Sequence, residues 1–315
     1  QMGDMNWLQS DVWPPTGLNT YKLYLKENLS LSEITPDDDY SNSTIVYDPR
    51  DPSPTIGGAT LRQDLLQGPY DQAPEVESRD DILSFTGEIL SQPIIHKGPV
   101  KVKLCVDSDR LDTDFVVRLC DVYPDNRSML LTENTFRMRF RNGFTVADTS
   151  FMQTDNIYEI EIILPDIAHT FLPGHSIRIN ITSSNYPRFD NNLNNGGQMY
   201  VAGDSLIATN RVYHQVSHAS YVEFLTESPT YLHTRSDNDL EIFPNPATKE
   251  GQVTITLSEI IKSIIIYDSN GKLIYTDNNV CNNKSVINTS NLSQGMYLIK
   301  VSSVSGVYTK NLVVK

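Results

Sequence analysis

Between Val100 and Leu225 the chain repeatedly alternates apolar and polar positions. The runs VKVKLCV (100–106), FVVRLC (115–120), IYEIEII (157–163), SIRINI (176–181) and SYVEFL (220–225) change character about every second residue, the spacing of strands that bury one face. Turn formers separate them, at 107–109, 123–126, 173–174 and 194–197, where Asn, Asp, Gly and Pro supply the backbone angles a reversal needs. No long stretch carries a helical period. Short strands without intervening helices predict a sandwich or jelly roll rather than a parallel α/β sheet. Residues 30–72 are rich in Pro, Gly and Asp and predict long surface loops, a kind of segment that often carries function. A polar break at 227–239 predicts a linker. Beyond it the alternation resumes in QVTITL (252–257), SIIIY (263–267), KLIY (272–275), MYLIKV (296–301) and VYTKNLVVK (307–315), with DSNG (268–271) as a tight hairpin turn.

A length of 315 residues accommodates two domains. Lys and Arg number 25 against 39 Asp and Glu, a net charge of -14, which argues against nucleic acid or an anionic membrane surface as a partner. No apolar run is long enough for a membrane span, and residues 1–10 lack the basic and apolar regions of a signal peptide; any such peptide is expected upstream. Cys105, Cys120 and Cys281 are too scattered for a disulfide framework or a Cys-rich zinc site. Cys105 and Cys120 sit in strand runs and are expected to be buried free thiols.

Candidate chemistry is sparse. No Gly-x-Ser-x-Gly elbow occurs. Gly203, Asp204, Ser205 and Leu206 spell an esterase tetrapeptide, but the one Asp-x-x-His, Asp166 with His169, precedes the serine instead of following it, so Ser205 reads as a turn residue. His214 and His218 have a four-residue gap without the rest of a zinc motif. Residues 190–201 open like an EF-hand loop but place Asn195 at its sixth position and Val201 at its twelfth. Asp107, Asp109, Asp112 and Asp114 could supply oxygens to calcium, yet turn capping and pairing with arginine explain them better. Arg137, Arg139 and Arg141 alternate and are expected to share one strand face as carboxylate partners. No metal and no cofactor is expected.

Several motifs occur in a telling order: YDPRDPSPTIGG (47–58), GPYDQ (68–72), ESRDDILSFT (77–86), DTDF (112–115), LCDVYPD (119–125), FLPGHSIR (171–178) and SSNYPRFD (183–190). Together they closely resemble the C-terminal domain of the cocaine-esterase and X-Pro dipeptidyl-peptidase group of serine hydrolases, the CocE/NonD hydrolases, over about residues 1–226. MGDMNW (2–7) and DVWPP (11–15) resemble that group's exit from its α/β-hydrolase domain, which makes 1–20 an exit segment and 21–226 a jelly roll. The resemblance implies that the Ser, Asp and His triad lies upstream of Gln1 and that no catalytic residue maps here. It also implies a jelly roll that packs on the hydrolase domain and helps wall its acyl pocket. The segment expected to face that pocket runs from Gly57 to Tyr70, with Gly57 and Gly58 permitting close backbone approach and Tyr70 at its end. Esters, amides, β-lactam side chains and X-Pro dipeptides are all substrates within the group.

IFPNPA (242–247), IYDSNGK (266–272), LSQGMYLIKV (292–301) and KNLVVK (310–315) resemble the C-terminal sorting domain of type IX secretion cargo in Bacteroidetes. For 240–315 this implies the type IX secretion machinery as partner, export across the outer membrane, and a secreted or cell-surface location. The expected fold is therefore all-β: a jelly-roll (galactose-binding-like) β-sandwich followed by a small Ig-like β-sandwich. An accessory domain of a serine hydrolase, inert alone, is the leading expectation. A carbohydrate-binding jelly-roll module of a surface protein is the alternative, for which Tyr123, Tyr186 and Tyr200 are the loop aromatics outside strand patterns.

Overall fold

The computed structural model describes residues 1–5, 7–154, 156–227, 240–268, 272–277, 280–303 and 307–315. The chain divides into two compact units, Gln1–Pro229 and Thr230–Lys315. The first contains β1 (Asn19–Leu25), β2 (Leu31–Ser32), β3 (Asn42–Tyr47), β4 (Leu83–Thr86), β5 (Ile94–Ser108), β6 (Asp114–Val122), β7 (Ser128–Arg137), β8 (Tyr158–Phe171), β9 (Ser176–Thr182), β10 (Ala208–Gln215), β11 (His218–Ala219) and β12 (Tyr221–Thr226). The second contains β13 (Leu240–Phe243), β14 (Gln252–Asp268), β15 (Leu273–Asp277), β16 (Asn282–Asn288), β17 (Gly295–Ser303) and β18 (Val307–Val314). Among the described residues the helical elements are two 3-10 turns, Met138–Phe140 and Val146–Asp148.

In the first unit an eight-stranded antiparallel sheet, ordered β11-β10-β5-β12-β1-β2 with β3 on β10 and β8 on β5, faces a four-stranded sheet ordered β4-β9-β6-β7. Alternation assigns the faces. On β5, Val100, Val102, Leu104 and Val106 point inward, while Lys103 meets Glu159 of β8 at 2.8 Å outside. The ladder between β5 and β8 shifts register between Gly98 and Val100, where Pro99 of β5 stands opposite two residues of β8, Pro165 and Asp166, and neither proline has an N–H to donate. The core between the sheets is aromatic at its centre, with Phe171 edge-on to Phe224 at 6.2 Å and Phe224 edge-on to His96 at 5.5 Å. Burial pushes the His96 pKa down to about 4, and its ring is satisfied without charge: Leu225 N–H donates to Nδ1 and Nε2–H donates to the Gly98 carbonyl at 3.0 Å.

In the second unit β14 is one continuous strand where two were expected, at 252–257 and 263–267. Its first half pairs with β13 and β16 and its second half with β15 and β17, with register shifts around Ile261. One strand thus serves both halves of a bent sheet that encloses Ile255, Ile264, Ile266, Ile299, Val301 and Tyr308. The expected hairpin turn at 268–271 falls at the β14–β15 junction, where Asp268 Oδ1 accepts from Lys272 N–H at 2.9 Å, but 269–271 lie outside the described residues, as does most of the expected linker. Residues 30–72 are less irregular than expected, since β2 and β3 lie among them.

Candidate functional site: a loop cap on the small sheet

Strand β6 is buried along its whole length. Phe115, Val117, Leu119 and Asp121 alternate with Asp114, Val116, Arg118 and Cys120, and two loop segments, around 48–81 and 183–192, join β7 in partnering Arg118 and Asp114 of the second set. Arg118 has no exposed surface and Glu133 of β7 is 4% exposed. Arg118 Nε donates to Glu133 Oε2 at 3.3 Å, and Arg118 Nη2 reaches Ser53 Oγ and the Pro54 carbonyl at 3.3 and 3.2 Å. Glu133 also accepts from Asn185 Nδ2 at 2.7 Å and from Arg188 Nη1. Burial pulls the Arg118 pKa down, and the Glu133 charge opposes that shift. The cluster therefore ties both loop segments to the sheet.

Gly58 rests on this cluster. A Cβ there would lie 2.4 Å from Glu133 Oε1 and 2.7 Å from Arg188 Nη1, and the backbone stands at φ +90°. Gly57, at φ +74°, has the same constraint against the Gly68 carbonyl at 2.5 Å and the Tyr70 ring at 3.0 Å. Gly58 and Gly68 exchange N–H···O bonds of 2.8 and 3.0 Å, closing the segment between them into a loop. The Tyr70 carbonyl accepts from Leu130 N–H at 3.0 Å and from Gln72 Nε2 at 3.1 Å. Gly57, Gly58 and Tyr70, expected together from the sequence, do meet at the neck of one loop. The two glycines face inward, however, and the surface of the loop mixes Leu61, 95% exposed, Leu66 at 51% and Tyr70 at 39% with the exposed polar residues Arg62, Gln63, Asp64 and Gln67. Sequence reasoning missed the leucines, although an apolar residue in a Pro- and Gly-rich loop is the signal that could have found them.

The other candidates resolve into structural roles. Arg137 closes β7, but a 3-10 turn at Met138–Phe140 breaks the alternation, so Arg137, Arg139 and Arg141 do not form the expected strand-face stripe. Arg137 pairs bidentately with Asp114 at 2.8 and 2.8 Å, Arg139 Nε donates to Asp112 at 2.7 Å, and Arg141 instead donates to the Phe151 carbonyl and Ser150 Oγ. Asp107 accepts from Arg211 and from the Tyr213 hydroxyl, and Asp109 from Thr209 N–H. His214 lies between the hydroxyls of Ser41 and Ser43, and burial lowers its pKa; His218 bonds Gln215 and Ser217. His169, 2% exposed, engages Asp121 at 3.0 Å, and His175 engages the other oxygen of Asp121 at 2.8 Å. Ser205 lies in the loop before β10. Cys105 and Cys120 are buried free thiols, with pKa values raised by burial, Cys105 to about 11. Among the described residues no group of three or more His, Cys, Asp and Glu could hold a metal ion, and no helix is long and apolar enough to cross a membrane.

The first unit is thus a two-sheet antiparallel β-sandwich in which the polar clusters described above are partnered within the fold. Residues 1–223 match the X-Pro dipeptidyl-peptidase C-terminal non-catalytic domain, and the chain belongs to that family. Residues 241–315 match the secretion system C-terminal sorting domain. The chain is 34% identical over 233 residues to the cocaine esterase of Rhodococcus sp. (strain MB1 Bresler), covering 70% of this chain and 40% of that protein. Among solved structures it is similar to an aminopeptidase from a marine sediment Thaumarchaeota archaeon, at 28% identity and a TM-score of 0.65 over 72% of this chain and 40% of that one. An α-amino acid ester hydrolase follows at 25% identity and a TM-score of 0.62, over 71% of this chain and 40% of that one. The chain thus spans about 40% of the length of these relatives.

Proposed function

We propose that residues 21–226 are the accessory jelly roll of a serine hydrolase whose nucleophile, base and acid lie in an α/β-hydrolase domain preceding Gln1. In this reading residues 1–20 leave that domain, the jelly roll packs on it, and the 57–70 loop helps shape its acyl pocket. A linker at 227–239 then leads to the sorting domain, 240–315, through which the type IX machinery carries the protein across the outer membrane to the medium or the cell surface. The observation that carries the pocket assignment is the loop's construction: a neck locked by Gly57, Gly58 and the Arg118–Glu133–Arg188 cluster, and a tip that leaves Leu61 95% exposed. A fixed neck that presents Leu61 and Leu66 suits a wall for an acyl group, since an apolar contact contributes only when it is held in place. The relatives act on esters and on peptides by their names, so both substrate classes belong in the test.

In the protein carrying its hydrolase domain, Leu61→Ser and Tyr70→Ala are expected to change the ratio of kcat/KM for a benzoyl ester over an acetyl ester by about 10-fold, the discrimination typical of an apolar pocket contact. Unchanged rates and preference in both variants would remove the loop from the pocket.

A further inference from the structure

We propose that a cleft in the first unit, between residues 137–144 and the 189–202 loop, binds the pyranose ring of a neutral sugar. The cleft holds about 330 Å³ on its polar side, lined by Arg137, Asp190, Asn191, Gln198 and Tyr200, and it adjoins a second space of about 250 Å³ walled by Phe140, Phe144 and Phe189. That is the size range of a small-ligand site. A sugar ring has hydroxyls at its rim and an apolar C–H face, and the cleft offers both complements.

For the face there are exposed rings. Tyr200 is 80% and Phe144 90% exposed, with Phe140 packed beside Phe144 at 6.2 Å. Tyr200 stands at φ 60°, in the left-handed region where a bulky side chain is rare, so the backbone is held in an unfavourable state while presenting that ring. For the rim there is the Asp190 carboxylate, whose side chain is 41% exposed and whose ion-pair neighbour, Arg137 Nη1, stands at 3.9 Å. A carboxylate at that exposure can accept from sugar hydroxyls.

The charges select against other ligands. Arg137 and Arg139 are already engaged by Asp114 and Asp112, so they offer little to an anion, and Asp190 would repel one. A purely apolar ligand would cover the Asp190 carboxylate without a donor for it. This inference does not depend on the accessory-domain reading: gel retention and ester hydrolysis succeed or fail separately.

The test is affinity electrophoresis of the 315-residue chain, and of the protein with its hydrolase domain, in gels carrying xylan, galactomannan or a mixed-linkage β-glucan. Both proteins are expected to be retarded by at least one polysaccharide, and Tyr200→Ala and Asp190→Ala are each expected to weaken retardation at least 10-fold while melting like the parent. Tyr200→Phe should retain most of it. Absence of retardation in all three gels, retardation unchanged by both variants, or retardation confined to the shorter chain, which would place the cleft under the neighbouring domain, each overturns the proposal.

Discussion

Replacing Glu133 by alanine is expected to destabilise the first unit by about 3–5 kcal/mol, the cost of removing one partner from a buried charge pair. Arg118 has no exposed surface, its Nη1 already lacks a hydrogen-bond partner, and without Glu133 it would keep only Ser53 Oγ and the Pro54 carbonyl. Arg188 and Asn185 would lose their acceptor as well. For a domain of this size each kcal/mol moves the midpoint by roughly 2–4 °C, so calorimetry should show a drop of about 6–20 °C. Glu133→Gln should cost less, because it keeps the shape and an acceptor oxygen. The pair Arg118→Met with Glu133→Leu should recover only part of the loss, since it removes the fully buried guanidinium but still leaves Arg188 and Asn185 without their acceptor. A drop below about 2 °C for Glu133→Ala would mean that the cluster does not hold the loop cap.

Loss of residues 240–315 is expected to abolish export, leaving the remainder of the protein in the periplasm, and fusion of the same residues to a periplasmic reporter in a host with type IX secretion is expected to move the reporter outside. The second unit has a core of its own, Leu240, Ile255, Ile264, Ile266, Ile299, Val301 and Leu312 among others, so it should fold when attached elsewhere. Cell fractionation with immunoblotting measures both. A reporter retained in the periplasm, or a truncated protein still exported, would contradict the sorting assignment.

Much of the fold was legible because most strands bury one face. β8 shows the pattern plainly, with Ile160, Ile162 and Leu164 inside and Glu159 and Glu161 outside. β7 did not stand out, because its Thr132 and Glu133 are buried for their hydrogen bonds and charge, not for hydrophobicity. β10 was hidden for the same reason: Asn210 has no exposed surface, and it donates to Thr113 and Ser183 hydroxyls. Polar residues inside a domain imitate surface residues in a sequence, and only their partners, far away along the chain, reveal them. The arginine series at 137–141 failed differently, since no Gly or Pro announces the 3-10 turn at Met138–Phe140. In the candidate site the pair Gly57 and Gly58 was visible as a place of close approach, and the lack of room for a Cβ against Tyr70, Glu133 and Arg188 gives the physical reason. Which side of the loop remained exposed depended on Glu133 and Arg188, whose contribution no local pattern carries.

The most direct measurement is hydrolysis of p-nitrophenyl acetate and of an X-Pro anilide by the 315-residue chain, beside a longer protein that carries the proposed α/β-hydrolase domain ahead of it. Turnover by the longer protein alone, with the anilide result separating peptidase from esterase, is the predicted outcome. Turnover by the short chain, abolished by Ser205→Ala, would contradict the account and place a nucleophile in the loop before β10.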